Sequence, residues 1–212
     1  ADRIDPVDRA LAEGREGRVG VREGLLRLLR NARDGGDPLT ARRAAEGLAL
    51  HTVMDYADFR GLTEVWAVLD AGPAADFDRP VDRLRSDVVT LTRPLLDHRL
   101  ASDDPALLPV RARVMAALMG DGDLDPDERL LMGKQLVDHV GMVNDLTGLE
   151  HVLTVTQDLL HRASPRWQAA MWRLTANCYE YMGRTELARS ATQQLQALVE
   201  QLKDPELDLA LA

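Results

Sequence analysis

Residues 166–202 read RWQAAMWRLTANCYEYMGRTELARSATQQLQALVEQL, and two apolar helical periods meet in them at one glycine. Trp172, Ala176 and Tyr179 recur at steps of four and three, the spacing that puts side chains on one face of an α-helix. Gly183 interrupts the period. Ala188, Ala191, Leu195, Leu198 and Leu202 then continue a single face of a second helix. A large-small-large face opposite a face of small residues allows close approach, so the two helices are expected to fold back on each other as a hairpin.

The aromatic residue, the small residue and the tyrosine on the first helix, the glycine at the turn and the early alanine on the second resemble a tetratricopeptide (TPR) repeat. Two further stretches extend the resemblance. Phe59-Arg60-Gly61-Leu62-Thr63-Glu64-Val65 mirrors Tyr181-Met182-Gly183-Arg184-Thr185-Glu186-Leu187, and Gly148 precedes Gly183 by 35 residues, close to the TPR period of about 34. On this basis 47–80, 134–168 and 169–202 are expected to be repeat-like units. Residues 1–36 are expected to hold N-terminal helices and 81–133 a divergent hairpin. The resemblance implies a single all-α domain over 1–212, a TPR-like α-solenoid in which antiparallel helical hairpins wind as a right-handed superhelix of about ten helices.

The rest of the chain agrees with an all-helical reading. Hydrophobic residues make up 45% of the sequence but aromatics only 4%, so a core must come from Leu, Ala, Val and Met, residues that mostly favour helix. Gly35-Gly36 stops a helix that begins near Val21, and Asp37-Pro38 and Asp125-Pro126 are a capping acid followed by a first-turn proline. Pro94 lies inside the apolar period running from Val81 to about Leu100 and is expected to kink or split that helix.

Charge and composition narrow the function. The net charge is −9 and the basic residues are interspersed with acids, whereas nucleic-acid readers concentrate positive charge on one face. Nucleic acid is therefore not an expected partner. No stretch has the apolar length of a membrane span, and the chain is read as cytoplasmic. Its Arg-rich, Lys-poor composition fits a GC-rich bacterial genome. The single cysteine, Cys178, excludes an intramolecular disulfide and reads as a buried, inert thiol.

No pattern of residues points to catalysis, a metal or a cofactor. Asp121, Asp123 and Asp125 have the alternate spacing of a calcium loop, but Pro126 stands at the turn-glycine position and Met132 at that of the bidentate glutamate. The group reads as a solvated acidic turn before a helix N-terminus. His51, His98, His139, His151 and His161 form no zinc-binding pair, and Gly133-Lys134-Gln135 lacks the remainder of a phosphate loop.

The candidate binding residues follow from the resemblance. In TPR folds the first helix of each unit lines a concave groove. A basic residue followed four positions later by Asn, here Arg173 and Asn177, is similar to the pair that grips a peptide's terminal carboxylate in some members. The corresponding pairs are expected to be His51/Asp55 and Asp138/Met142. Tyr56, Trp66, Trp167 and Tyr181 are either groove anchors or core aromatics. The implied function is a non-catalytic interaction or regulatory module that binds a protein or peptide segment. The alternative is the sensor or dimerisation domain of a larger bacterial signalling protein, with a second copy of the chain as its partner.

Overall fold

The computed structural model describes residues 5–15, 20–55, 61–71, 79–96, 105–120 and 124–202. Helices and the turns between them account for these residues, with no strand among them. In chain order the helices are α1 (Pro6–Arg15), α2 (Val21–Asp34), α3 (Pro38–Asp55), α4 (Leu62–Ala71), α5 (Pro80–Leu96), α6 (Leu108–Met119), α7 (Pro126–Met142), α8 (Leu146–Leu160), α9 (Pro165–Tyr181) and α10 (Thr185–Leu202), with a short 3₁₀ turn, Pro105–Leu107, leading into α6. The chain divides into two compact units, 1–99 and 100–212. The segment 81–133, expected to form one hairpin, is thereby shared between them: α5 packs on α3 in the first unit, and α6 on α7 and α8 in the second.

In the first unit α3 is central, packing against α1, α2, α4 and α5. Its position follows from its sequence, since Ala41, Ala44, Ala45, Leu48, Ala49 and Leu50 are all buried and small residues let several helices approach at once. Gly47 extends this surface: a Cβ there would meet Leu25 of α2 and both Val7 and Leu11 of α1. Pro94 does not split α5, which continues to Leu96. It sits in the last turn, where only one backbone hydrogen bond is forfeited before the helix ends.

The second unit is built around α7, which contacts α6, α8 and α9, while α9 and α10 form the most extensively packed pair. On α9, Ala176 and Tyr179 are buried as the period predicts, and Trp172 is partly buried against a cluster of Ala169, Leu195 and Val199.

One turn geometry recurs three times. After α9, the Arg184 N–H donates to the Tyr179 carbonyl and the Gly183 N–H to that of Glu180, with Gly183 at φ 70. This is the Schellman termination, in which a left-handed residue lets two orphan carbonyls find donors. After α7 the same bonds run from Asp145 to Val140 and from Asn144 to Gly141, with Asn144 at φ 54. After α2 they run from Asp37 to Ala32 and from Gly36 to Arg33, with Gly36 at φ 69.

The buried positions of the following helix keep the same register. Counted from the left-handed residue, the fifth, eighth, twelfth and sixteenth residues are Ala188, Ala191, Leu195 and Val199; Leu149, Val152, Thr156 and Leu160; and Ala41, Ala44, Leu48 and Thr52. All twelve are buried. The pairs α2/α3, α7/α8 and α9/α10 are therefore hairpins of one design.

This register revises two sequence expectations. The second hairpin turns at Asn144, and Gly148 lies inside the first turn of α8. The step between neighbouring turns is thus 39 residues, from 144 to 183, and not the 35 measured from Gly148. In the first unit the matching turn is at Gly36. Gly61 has φ 86 but stands immediately before α4, one position closer to its helix than Gly183 is to α10.

Candidate functional site

The α9 helix carries the residues singled out in the sequence. Its packing face turns Trp172, Ala176 and Tyr179 inward, and the flanking stripe of Ala170, Arg173, Asn177 and Glu180 is exposed. The side chains of Arg173 and Asn177 meet no ion-pair or hydrogen-bond partner among the described residues. Tyr181 is 64% exposed, and its hydroxyl donates to Asn144 Oδ1 at 3.1 Å. It thus joins the end of α9 to the turn between α7 and α8.

Asp138 lies on α7, half-buried, and accepts a 2.8 Å hydrogen bond from Lys134 Nζ one turn earlier. In the 39-residue register, Lys134 corresponds to Arg173 and Asp138 to Asn177. The pairing of Asp138 with Arg173 and of Met142 with Asn177 is corrected accordingly, and both hairpins carry a cation followed four residues later by a polar acceptor. Asp138 also lies near α9. Burial pushes the Cys178 thiol up to about 11, and the Asp138 charge adds to the effect, in keeping with an inert thiol.

His51 is half-buried on α3 in the first unit. Asp55 ends the same helix, and its side chain lies outside the described residues, as do Tyr56 and Asp121 to Asp123. Trp66 lies beneath the Arg93 guanidinium, 4.7 Å from ring centroid to carbon, and Arg93 holds Asp70 through two bonds of 2.6 and 2.9 Å. Trp167 is buried in the second unit. Trp167 is thus a packing residue, and Trp66 is half-buried. Asp125 spends its carboxylate on the Asp127 and Glu128 N–H groups as the α7 cap, and Asp127 accepts from the Ser164 N–H at 2.7 Å. Among the described residues no group of His, Cys, Asp or Glu is placed to hold a metal, and no helix is long and apolar enough to cross a membrane.

A dense polar constellation lies in the first unit, at residues the sequence does not single out. Asp8 of α1 accepts two bonds from Arg79, at 2.9 and 3.1 Å, and one from Arg85 at 2.7 Å. Burial alone would raise the Asp8 carboxyl, but hydrogen bonds from Arg79 and Arg85, together with their charges, outweigh it and bring it down to about 2. Arg43 of α3 donates to Asp5 at 2.8 Å and stands 3.3 Å from Asp82 of α5.

Glu46, buried one turn beyond Arg42 on α3, accepts from it at 3.1 Å. Burial pushes the Glu46 carboxyl up to about 7. The charge of Arg42 and hydrogen bonds from Ser86 and Arg42 oppose the rise, and the Asp82 charge reinforces it. The network joins residues 71 and 77 positions apart, which no local spacing reveals. The only trace in the sequence is acids and arginines at positions that also carry the apolar period of α1, α3 and α5.

No protein-family model, curated protein or solved structure matches the chain. The functional reading therefore rests on geometry and chemistry.

Proposed function

We propose that the hairpins α7/α8 and α9/α10 are stacked units of a TPR-like right-handed superhelix, and that the exposed stripe of α9 binds an extended segment of a partner protein in the cytoplasm. One observation carries this reading: Arg173 and Asn177 lie one turn apart on an exposed face, with no described residue engaging either side chain. A guanidinium and a carboxamide so placed suit a peptide. Asn offers a donor and an acceptor to the backbone, and Arg a fork to a carboxylate or carbonyl. The Lys134/Asp138 pair continues the polar surface on α7. Nothing in this reading requires catalysis.

The test is selection from a random peptide library on the immobilised protein, with the best binders measured by fluorescence anisotropy. Arg173→Ala is expected to weaken them about tenfold, the loss of one charge-assisted hydrogen bond, with the circular dichroism of the protein unchanged. Peptides bound equally by both forms would reject the site.

The dimerisation reading has one observation of its own. On α6, Leu108 is 60% and Met119 56% exposed, and Ala112 and Ala116 are exposed between them. An apolar stripe of this kind on a helix suits self-association. Light scattering decides it: a concentration-dependent dimer abolished by Leu108→Glu supports this reading, and a strict monomer eliminates it.

A further inference from the structure

The arginines around Asp8 are arranged as a receptor is arranged around a ligand. Arg79 grips the Asp8 carboxylate with a two-pronged fork, Arg85 shares one of its oxygens, and Arg43 Nη2 stands 3.7 Å from that same oxygen, beyond hydrogen-bond range. The Arg43 side chain is only 11% exposed, and its Nε and Nη2 lack a hydrogen-bond acceptor. A carboxylate has two oxygens in one plane and serves two arginines. A phosphoryl group presents three peripheral oxygens and can serve all three.

The fixed part of the site favours an anion. Once α1 is set aside, Arg43 remains on α3, Arg79 at the residue preceding α5 and Arg85 on α5. Asp5, which caps α1 and pairs with Arg43, leaves with that helix; among the described residues Asp82 stays beside all three arginines, and Glu46 is engaged by Arg42. The occupying helix is lightly held. α1 has ten residues, two of them apolar anchors, Val7 and Leu11, and a helix this short has little stability of its own.

We infer that Arg43, Arg79 and Arg85 form a binding site for a phosphoryl group, and that Asp8 occupies it in this structure as an internal surrogate. A phosphate-bearing ligand then competes with α1, and its binding frees that helix from α3 and α5. Occupation of the site is thereby coupled to the position of α1, and each opposes the other by the same factor.

The test uses the full chain, with sodium phosphate replacing sodium chloride at constant ionic strength and thermal unfolding as the readout. Asp8→Asn removes the internal anion. It is expected to show a saturable rise in Tm with inorganic phosphate, half-maximal at a concentration at least tenfold below that for wild type. Asp8→Asn combined with Arg79→Gln is expected to lose the response. A phosphate response in Asp8→Asn no greater than in wild type, or one that survives in the double variant, overturns the inference.

Should Asp8→Asn not fold, wild type supplies the decision through amide hydrogen exchange. Faster exchange confined to α1 in phosphate supports the site, and equal rates in phosphate and chloride reject it. O-phosphoserine run in parallel separates the sources: tighter binding than inorganic phosphate assigns the site to a phosphorylated side chain, and weaker binding to the free ion.

Discussion

Asn144 shows how much one backbone conformation decides. It is the only non-glycine residue with positive φ among the described residues. Asn tolerates the left-handed region because its short polar side chain finds local partners, and here its Oδ1 also receives the Tyr181 hydroxyl. Asn144→Ala is expected to cost roughly 1–2 kcal/mol, the penalty for placing an ordinary L-residue in that region, while Asn144→Gly stays close to wild type in urea unfolding. Glu46 makes the second case. Its carboxyl titrates near 7 in the folded chain and near 4.5 when unfolded, so the folded state favours the protonated form. Its contribution is complete below pH 4.5 and is lost as pH rises through 7. Glu46→Gln should therefore gain stability relative to wild type as pH is raised from 5 to 8; parallel pH profiles would contradict this. Asp8 runs the other way, its contribution present above its unfolded value of 3.8 and lost as pH falls towards about 2.

At the level of the helix, the hairpin design explains what was legible and what was not. Gly183 and Gly35-Gly36 announce their turns because glycine is the usual left-handed residue. The turn between α7 and α8 is made by asparagine, and nearby glycines at 141 and 148 drew the boundary away from it. That shift of a few residues exchanged Lys134/Asp138 for Asp138/Met142 as the counterpart of Arg173/Asn177. The period of 3.6 survives any error in the turn, so Ala176, Tyr179, Ala188, Ala191 and Leu195 are buried as expected, while Val199 takes the next buried position and Leu198 is only partly covered. Gly133 gives the prediction that belongs to this scale. It is buried where α7 crosses α8, and a Cβ there would run into the buried Thr156 methyl group. A β-branched side chain has little freedom to yield. Gly133→Ala is thus expected to destabilise by about 1–3 kcal/mol despite alanine's better helix propensity, measured as a lower urea midpoint. A raised midpoint would show that the two helices are not pressed together there.

Across the whole molecule, both units bury charged groups among their apolar side chains. The second fully buries Leu118, Leu130, Leu136, Leu149, Leu153 and Met171 and also takes in Glu128, Arg129, Gln135 and His139. In the first, the apolar core of α2, α3 and α5 is supplemented by the arginine–aspartate network that fastens α1. Asp8→Ala is expected to cost about 3 kcal/mol, because removing Asp8 takes a close counter-charge from the buried Arg85. Hydrogen exchange would show the loss as deprotection centred on α1; unchanged exchange in α1 would contradict it. Composition and period were enough to read the helical class, whereas nothing short-range foretold that Asp8 belongs with Arg79 and Arg85.

That separation also bears on biosynthesis. α1 is made before any of the arginines that secure it, and its main fastener, the pair formed with Arg79 and Arg85, closes a loop of 71 to 77 residues. Local hairpins such as α2/α3 close far shorter loops and face a smaller entropic barrier. α1 therefore leaves the ribosome well ahead of its clamp, and until α5 emerges Val7 and Leu11 lack the ion pairs that hold them to α3. A stalled or truncated translation product ending before Arg79 would display this apolar pair together with the exposed small-residue surface of α3, a ready target for chaperones and proteases that monitor unfinished chains.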